Sequence, residues 1–156
     1  MAEPKRGPKG QSRVTGAVLV DSGPLLALFN GADKWHAKVL AWLRSNEGAQ
    51  LVTTWPVLTE VCALLSRRVG NPAALDFLRW AHRGGVDVDE PIASTLESVL
   101  AISERYADLP LDLADASIAE AAARLRTRQV LTLDSDFDIY RDKAGKALTN
   151  VLHLRD

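Results

Sequence analysis

The chain has 156 residues, 47% of them hydrophobic and 25% charged, with a net charge of −1. This is enough for one domain with a real core and too little for two typical ones. A single cysteine, Cys62, excludes an internal disulfide; no Cys/His group has zinc-ligand spacing, and no apolar run approaches the roughly 20 residues that span a bilayer.

Residues 1–16 carry Lys5, Arg6, Lys9 and Arg13 against one acid, Glu3, with prolines and glycines between them. Such a segment cannot bury enough surface to offset its ordering entropy, so it is expected to be disordered. It lacks the apolar centre of a signal peptide. It reads as a dispensable extension, a vector remnant or a basic arm for nucleic acid. The folded domain is expected over 17–156, in a reducing cytoplasm.

From there, strand-like and helix-like segments alternate. The run 17–20 reads as a buried strand ending at Asp21, where Asp21 or Ser22 can cap a helix and Pro24 fits its first turn. A helix is expected over about 34–44, then a strand at 51–54 and a helix from Pro56 to about 69. Gly70-Asn71-Pro72 breaks the chain before a helix at 73–82. A short strand at 86–88 precedes a helix opened by Pro91 and running to about 106. A helix at 113–127, a strand at 130–133, a turn near Phe137 and a strand around 150–154 complete the order. This alternation predicts an α/β fold, three layers α/β/α around a mainly parallel sheet. In such sheets ligands bind outside the carboxyl ends of the strands, the edge on which Asp21 and Asp134 fall.

Four carboxylates stand out by placement. Asp21 and Asp134 follow strands directly, while Glu60 borders the apolar stripe of Val57, Val61, Leu64 and Leu65. Asp115 shares a face with Leu111, Ile118, Ala122 and Leu125. Three of them have a local explanation as well. Glu60 can pair with Arg67 or a nearby lysine, Asp115 can be the third residue of a helix capped by Asp112, and Asp134 can serve a turn. Gathered together, the four would repel one another unless a cation were present. Hard oxygen donors suit Mg²⁺ or Mn²⁺, and such an ion in an acidic pocket suits hydrolysis of a phosphodiester. Other acidic α/β sites fit less well: a phosphoaspartate phosphatase needs an acid where Gly23 stands, and no phosphate-binding glycine loop occurs.

The segments around these acids resemble a known family. Val18-Leu19-Val20-Asp21-Ser22-Gly23-Pro24-Leu25-Leu26-Ala27-Leu28-Phe29 resembles the opening of a PIN domain, and Thr54-Trp55-Pro56-Val57-Leu58-Thr59-Glu60-Val61 its second acidic motif. Leu111-Asp112-Leu113-Ala114-Asp115-Ala116-Ser117-Ile118-Ala119 and Leu131-Thr132-Leu133-Asp134-Ser135-Asp136-Phe137 resemble the third and fourth, in family order over about 17–154. The short single-domain form is similar to VapC-type toxins of bacterial toxin–antitoxin pairs. That resemblance implies an endoribonuclease dependent on Mg²⁺ or Mn²⁺, acting on tRNA, rRNA or mRNA. It makes Asp21, Glu60, Asp115 and Asp134 the catalytic acids, with Asp21, Asp115 and Asp134 on the metal and Ser22 and Thr132 supporting them. It also implies a homodimer and a cognate VapB-type antitoxin that plugs the acidic groove with a basic side chain.

Without residues 1–16, 15 basic side chains face 19 acids, so RNA binding needs local basic patches. Arg67-Arg68, Arg79 with Arg83, Arg124-Arg126-Arg128 and Arg141 with Lys143 are the candidates. Trp35, Trp55 and Trp80 are candidate base-stacking residues or core, and His36 is expected to pack or lie at the surface. Two other readings use the same acids: a nuclease or phosphatase for another phosphoester, and a catalytically silent RNA- or protein-binding module.

Overall fold

The computed structural model describes residues 13–109 and 111–154. Its strands are β1 (Gly16–Val20), β2 (Ala49–Thr54), β3 (Asp87–Asp89), β4 (Gln129–Leu131) and β5 (Thr149–Asn150). They form one parallel sheet in the order β3-β2-β1-β4-β5. The helices are α1 (Ser22–Phe29), α2 (His36–Ser45), α3 (Trp55–Arg68), α4 (Asn71–His82), α5 (Thr95–Arg105) and α6 (Leu113–Arg124), with a 3-10 turn at Ser135–Asp138. No helix among the described residues is long and apolar enough to cross a membrane.

The chain moves outward from β1 through β2 to β3, then returns to build β4 and β5 on the other side of β1. With this strand order, the right-handed rule for parallel crossovers assigns α1 to α4 to one face and α5 with α6 to the other; α3 packs on α4 and α5 on α6. The expected three layers are therefore present. Covered on both faces, the central strands are continuously apolar: Val18, Leu19 and Val20 of β1 and Val130 and Leu131 of β4 are all buried. Val57, Val61 and Leu65 of α3 meet the sheet from one side. On the other side α6 is buried at every position from Ala114 to Ala122, and its alanines let it lie close to the strands. Gly85 follows from packing as well, because a Cβ there would run into the Trp80 indole.

Three expected boundaries shift for local reasons. The first strand begins at Gly16, and the Val14 N–H donates to Asn46 Oδ1 at 2.8 Å. The expected extension therefore contributes residues 13–16 to the described chain, while residues 1–12 lie outside it. The helix expected at Pro91 starts four residues later, since the Ile92 N–H donates to the Thr95 hydroxyl at 2.9 Å and closes a turn first. The last strand is two residues long rather than five. Beyond Thr149–Asn150, the Asn150 side chain takes over the ladder, accepting from Thr132 N–H at 3.3 Å and donating to Thr132 C=O at 3.0 Å.

Candidate metal centre

The order of the sheet reverses between β1 and β4, and a crevice opens beyond the carboxyl ends of these strands. Asp21 enters it from β1. Its backbone N–H still belongs to the ladder, donating to Leu131 O at 3.0 Å, while its side chain caps α1 by accepting the Ser22 N–H at 2.8 Å. The other carboxylate oxygen accepts from the Thr132 hydroxyl at 2.9 Å. Only 4% of Asp21 is exposed. Burial raises its pKa from 3.8 to about 6 against these two hydrogen bonds, with further upward pressure from the charges of Asp134 and Glu60.

Asp115 enters from the first turn of α6. It forms a reciprocal cap with Asp112: the Asp115 N–H donates to Asp112 Oδ1 at 2.9 Å, and the Asp112 N–H donates to Asp115 Oδ2 at 3.3 Å. Capping and placement in the crevice are not alternatives here, since the cap itself aims the side chain. Burial first, then the charges of Asp21, Asp112 and Asp134, raises the Asp115 pKa to about 8. Asp134 follows β4 and opens the 3-10 turn, accepting the Asp136 N–H at 2.9 Å. Its own N–H donates to the Thr132 hydroxyl at 2.9 Å.

Asp21, Asp115 and Asp134 each offer a carboxylate oxygen, and these oxygens lie within 4.8 Å of one another. Glu60, half-buried in the second turn of α3, lines the same open cavity of about 430 Å³ together with Ser22, Asp112 and Ser135. It stands outside the close trio of aspartates. Hard oxygens alone, buried and mutually repelling enough to lift two pKa values, fit a hard divalent cation.

The sequence model of the PIN-domain family matches residues 18–143. The chain belongs to the PIN-domain family. Ribonuclease VapC26 of Mycobacterium tuberculosis is 34% identical to it over 117 residues, 75% of this chain and 86% of that protein. Among solved structures, the M. tuberculosis sarcin-ricin loop cleaving toxin VapC20 superposes with a TM-score of 0.71 at 23% identity, covering 78% of this chain and 92% of the other. VapBC2 from Rickettsia felis, bound to a promoter DNA fragment, gives 0.58 at 13% identity, covering 78% and 91%. At these identities the structural likenesses bear on the fold.

This PIN domain also uses residues that sequence reasoning passed over. Asn150 clamps both backbone groups of Thr132, the residue whose hydroxyl lies between Asp21 and Asp134. A single asparagine in a terminal strand carries no motif, and only its partners identify it. Asp89 at the end of β3 and Glu120 of α6 both bind the Arg124 guanidinium. His36 packs, with Nδ1 2.8 Å from Ala27 O. Trp35 and Trp80 lie partly buried against the core, whereas Trp55 at the start of α3 is 48% exposed.

Proposed function

We infer that this PIN domain is a VapC-like endoribonuclease that hydrolyses RNA phosphodiester bonds with Mg²⁺ or Mn²⁺ held by Asp21, Asp115 and Asp134. The observation that carries this reading is the trio of aspartate oxygens within 4.8 Å at the switch point of the sheet, in a chain 34% identical to a VapC ribonuclease. When bound, the cation neutralises charge at the scissile phosphate and makes water easier to deprotonate. The protein supplies the frame. Ser22 N–H and the Thr132 hydroxyl fix the two Asp21 oxygens, and the same hydroxyl receives the Asp134 N–H. The cap with Asp112 holds Asp115 in its rotamer. Glu60, on the facing helix, orients the attacking water through its carboxylate and accepts its proton.

The partners follow from the same reading. A VapB-type antitoxin silences the site by placing a basic side chain among the acids. A second copy of the chain covers the apolar surface formed by Trp55, Ile92, Leu96, Leu100 and Leu113, which are 48 to 76% exposed.

The deciding measurement is cleavage of tRNA and rRNA fragments by Asp21→Asn, with duplex DNA and nucleotides as controls. Activity should fall at least a hundredfold, matching wild type in EDTA, with circular dichroism unchanged. Wild-type cleavage by Asp21→Asn would remove the assignment.

A further inference from the structure

An acidic centre repels the polymer it cuts, so a ribonuclease of this charge needs cations beside the acids. Of the basic side chains, Arg79 is held by Asp76, Arg128 by Asp142, and Arg124 by Glu120 and Asp89. Arg67 and Arg68 project from the last turn of α3, where they complement the helix terminus. Arg105, Arg141 and Lys143 are different: they line one groove of about 640 Å³ between α5, α6 and the segment after the 3-10 turn. Among the described residues none of the three makes an ion pair.

The groove is a built one. The Arg105 guanidinium stands 5.3 Å from the centre of the Tyr106 ring, and Tyr106 packs against Tyr140 with ring centres 5.7 Å apart. The Tyr106 hydroxyl accepts the Arg141 N–H at 2.9 Å. Arg141 Nη1 donates to the backbone carbonyls of Asp138 and Tyr140 at 2.6 and 2.8 Å. Those contacts position the guanidinium without cancelling its charge, and they leave its other donors open. Of the two acids lining the groove, Glu120 is already engaged by Arg124, which leaves Glu97 as the only opposing charge.

Two elements tie this groove to the acids. The 3-10 turn runs from Asp134 toward Arg141. Helix α6 carries Asp115 in its first turn and Arg124 at its end, about 13 Å apart at 1.5 Å per residue. We propose that the groove between α5, α6 and residues 140–143 binds the phosphate backbone of the substrate RNA a few nucleotides from the scissile bond. This rests on the ribonuclease reading, and it names the path by which the strand reaches the acids.

The test is fluorescence anisotropy with a fluorescein-labelled RNA hairpin bearing single-stranded flanks, in EDTA so that nothing is cut. The Arg105→Gln/Lys143→Gln double variant should bind roughly tenfold more weakly, and its slope of log K against log salt should fall by about 1.4, the value for two lost single-strand phosphate contacts. The Lys34→Gln/Arg44→Gln variant, which loses two exposed charges elsewhere, should stay within about twofold of wild type. Equal weakening in both variants, or unchanged binding in the first, overturns the groove. Cleavage of the same RNA by wild type with Mn²⁺ separates the two ideas. Groove-dependent binding without cleavage keeps the groove and removes the ribonuclease, while cleavage with groove-independent binding does the reverse.

Discussion

Thr132 joins two acids through one oxygen: its hydroxyl donates to Asp21 and accepts from the backbone of Asp134. Valine has nearly the same shape and neither bond. Thr132→Val should therefore destabilise the fold by about 1–3 kcal/mol, the range for buried groups left unpaired, and slow RNA cleavage. Thr132→Ser, which keeps the oxygen, should restore most of the rate. Thermal melts and single-turnover cleavage of the pair check this, and equal rates for the two variants would show that the hydroxyl does nothing for the site. Sequence alone marked Thr132 only through its likeness to a family motif. Asp21 and Asp134 were legible because a carboxylate after an apolar strand is unusual, and Glu60 and Asp115 because they border apolar helix faces. Asn150 was not, since its effect on Thr132 depends on which strand lies beside β4.

Helix α6 combines stability and chemistry in its first turn. Asp112 caps it and, by the same two bonds, holds Asp115. Asp112→Ala should lower stability by about 1 kcal/mol through loss of the side-chain cap, while Mn²⁺ binding should weaken by no more than about twofold, because the backbone N–H of residue 112 still holds the Asp115 carboxylate. Asp112→Asn, a comparable cap, should leave stability close to wild type. Urea unfolding and calorimetric titration of both variants separate the two effects. The start of α1, with an Asp cap and an early proline, and the proline that opens α3 were readable in the chain, whereas the Thr54 cap of α3 emerges only in the structure. The start of α5 was not readable. Pro91 looks like a first helical residue, but the turn closed by Thr95 precedes the helix. At the other end of α6 the inward face expected to include Leu125 stops short, because Leu125 is the exposed C-cap.

At the scale of the whole molecule, alternation of elements predicted the layers, but not the strand order that brings β1 beside β4 and closes the trio of aspartates. Nor did sequence distinguish paired from unpaired arginines, which only the positions of Asp76, Asp89, Glu120 and Asp142 decide. Gathering acids has a consequence for global stability. With pKa values raised from 3.8 to about 6 and about 8, Asp21 and Asp115 hold protons in the native state that the unfolded chain has released. Between roughly pH 4 and pH 8 the native state therefore binds more protons, and stability falls as pH rises through that window. In EDTA the melting temperature should be lower at pH 8.5 than at pH 5.5, and Asp115→Asn should flatten the difference. Added Mn²⁺ should raise it chiefly at the higher pH, where the carboxylates are charged and binding favours the native form. A melting temperature that rises with pH in EDTA would contradict the raised values. A last consequence concerns growth of the sheet itself. Its outermost strands, β3 and β5, are three and two residues long, and the Asn150 side chain occupies the ladder where β5 would continue. Among the described residues both borders are short, which limits the template a foreign strand could pair with and guards against edge-to-edge aggregation. Borders this short favour partners that engage the helices or the acidic crevice over partners that lengthen the sheet.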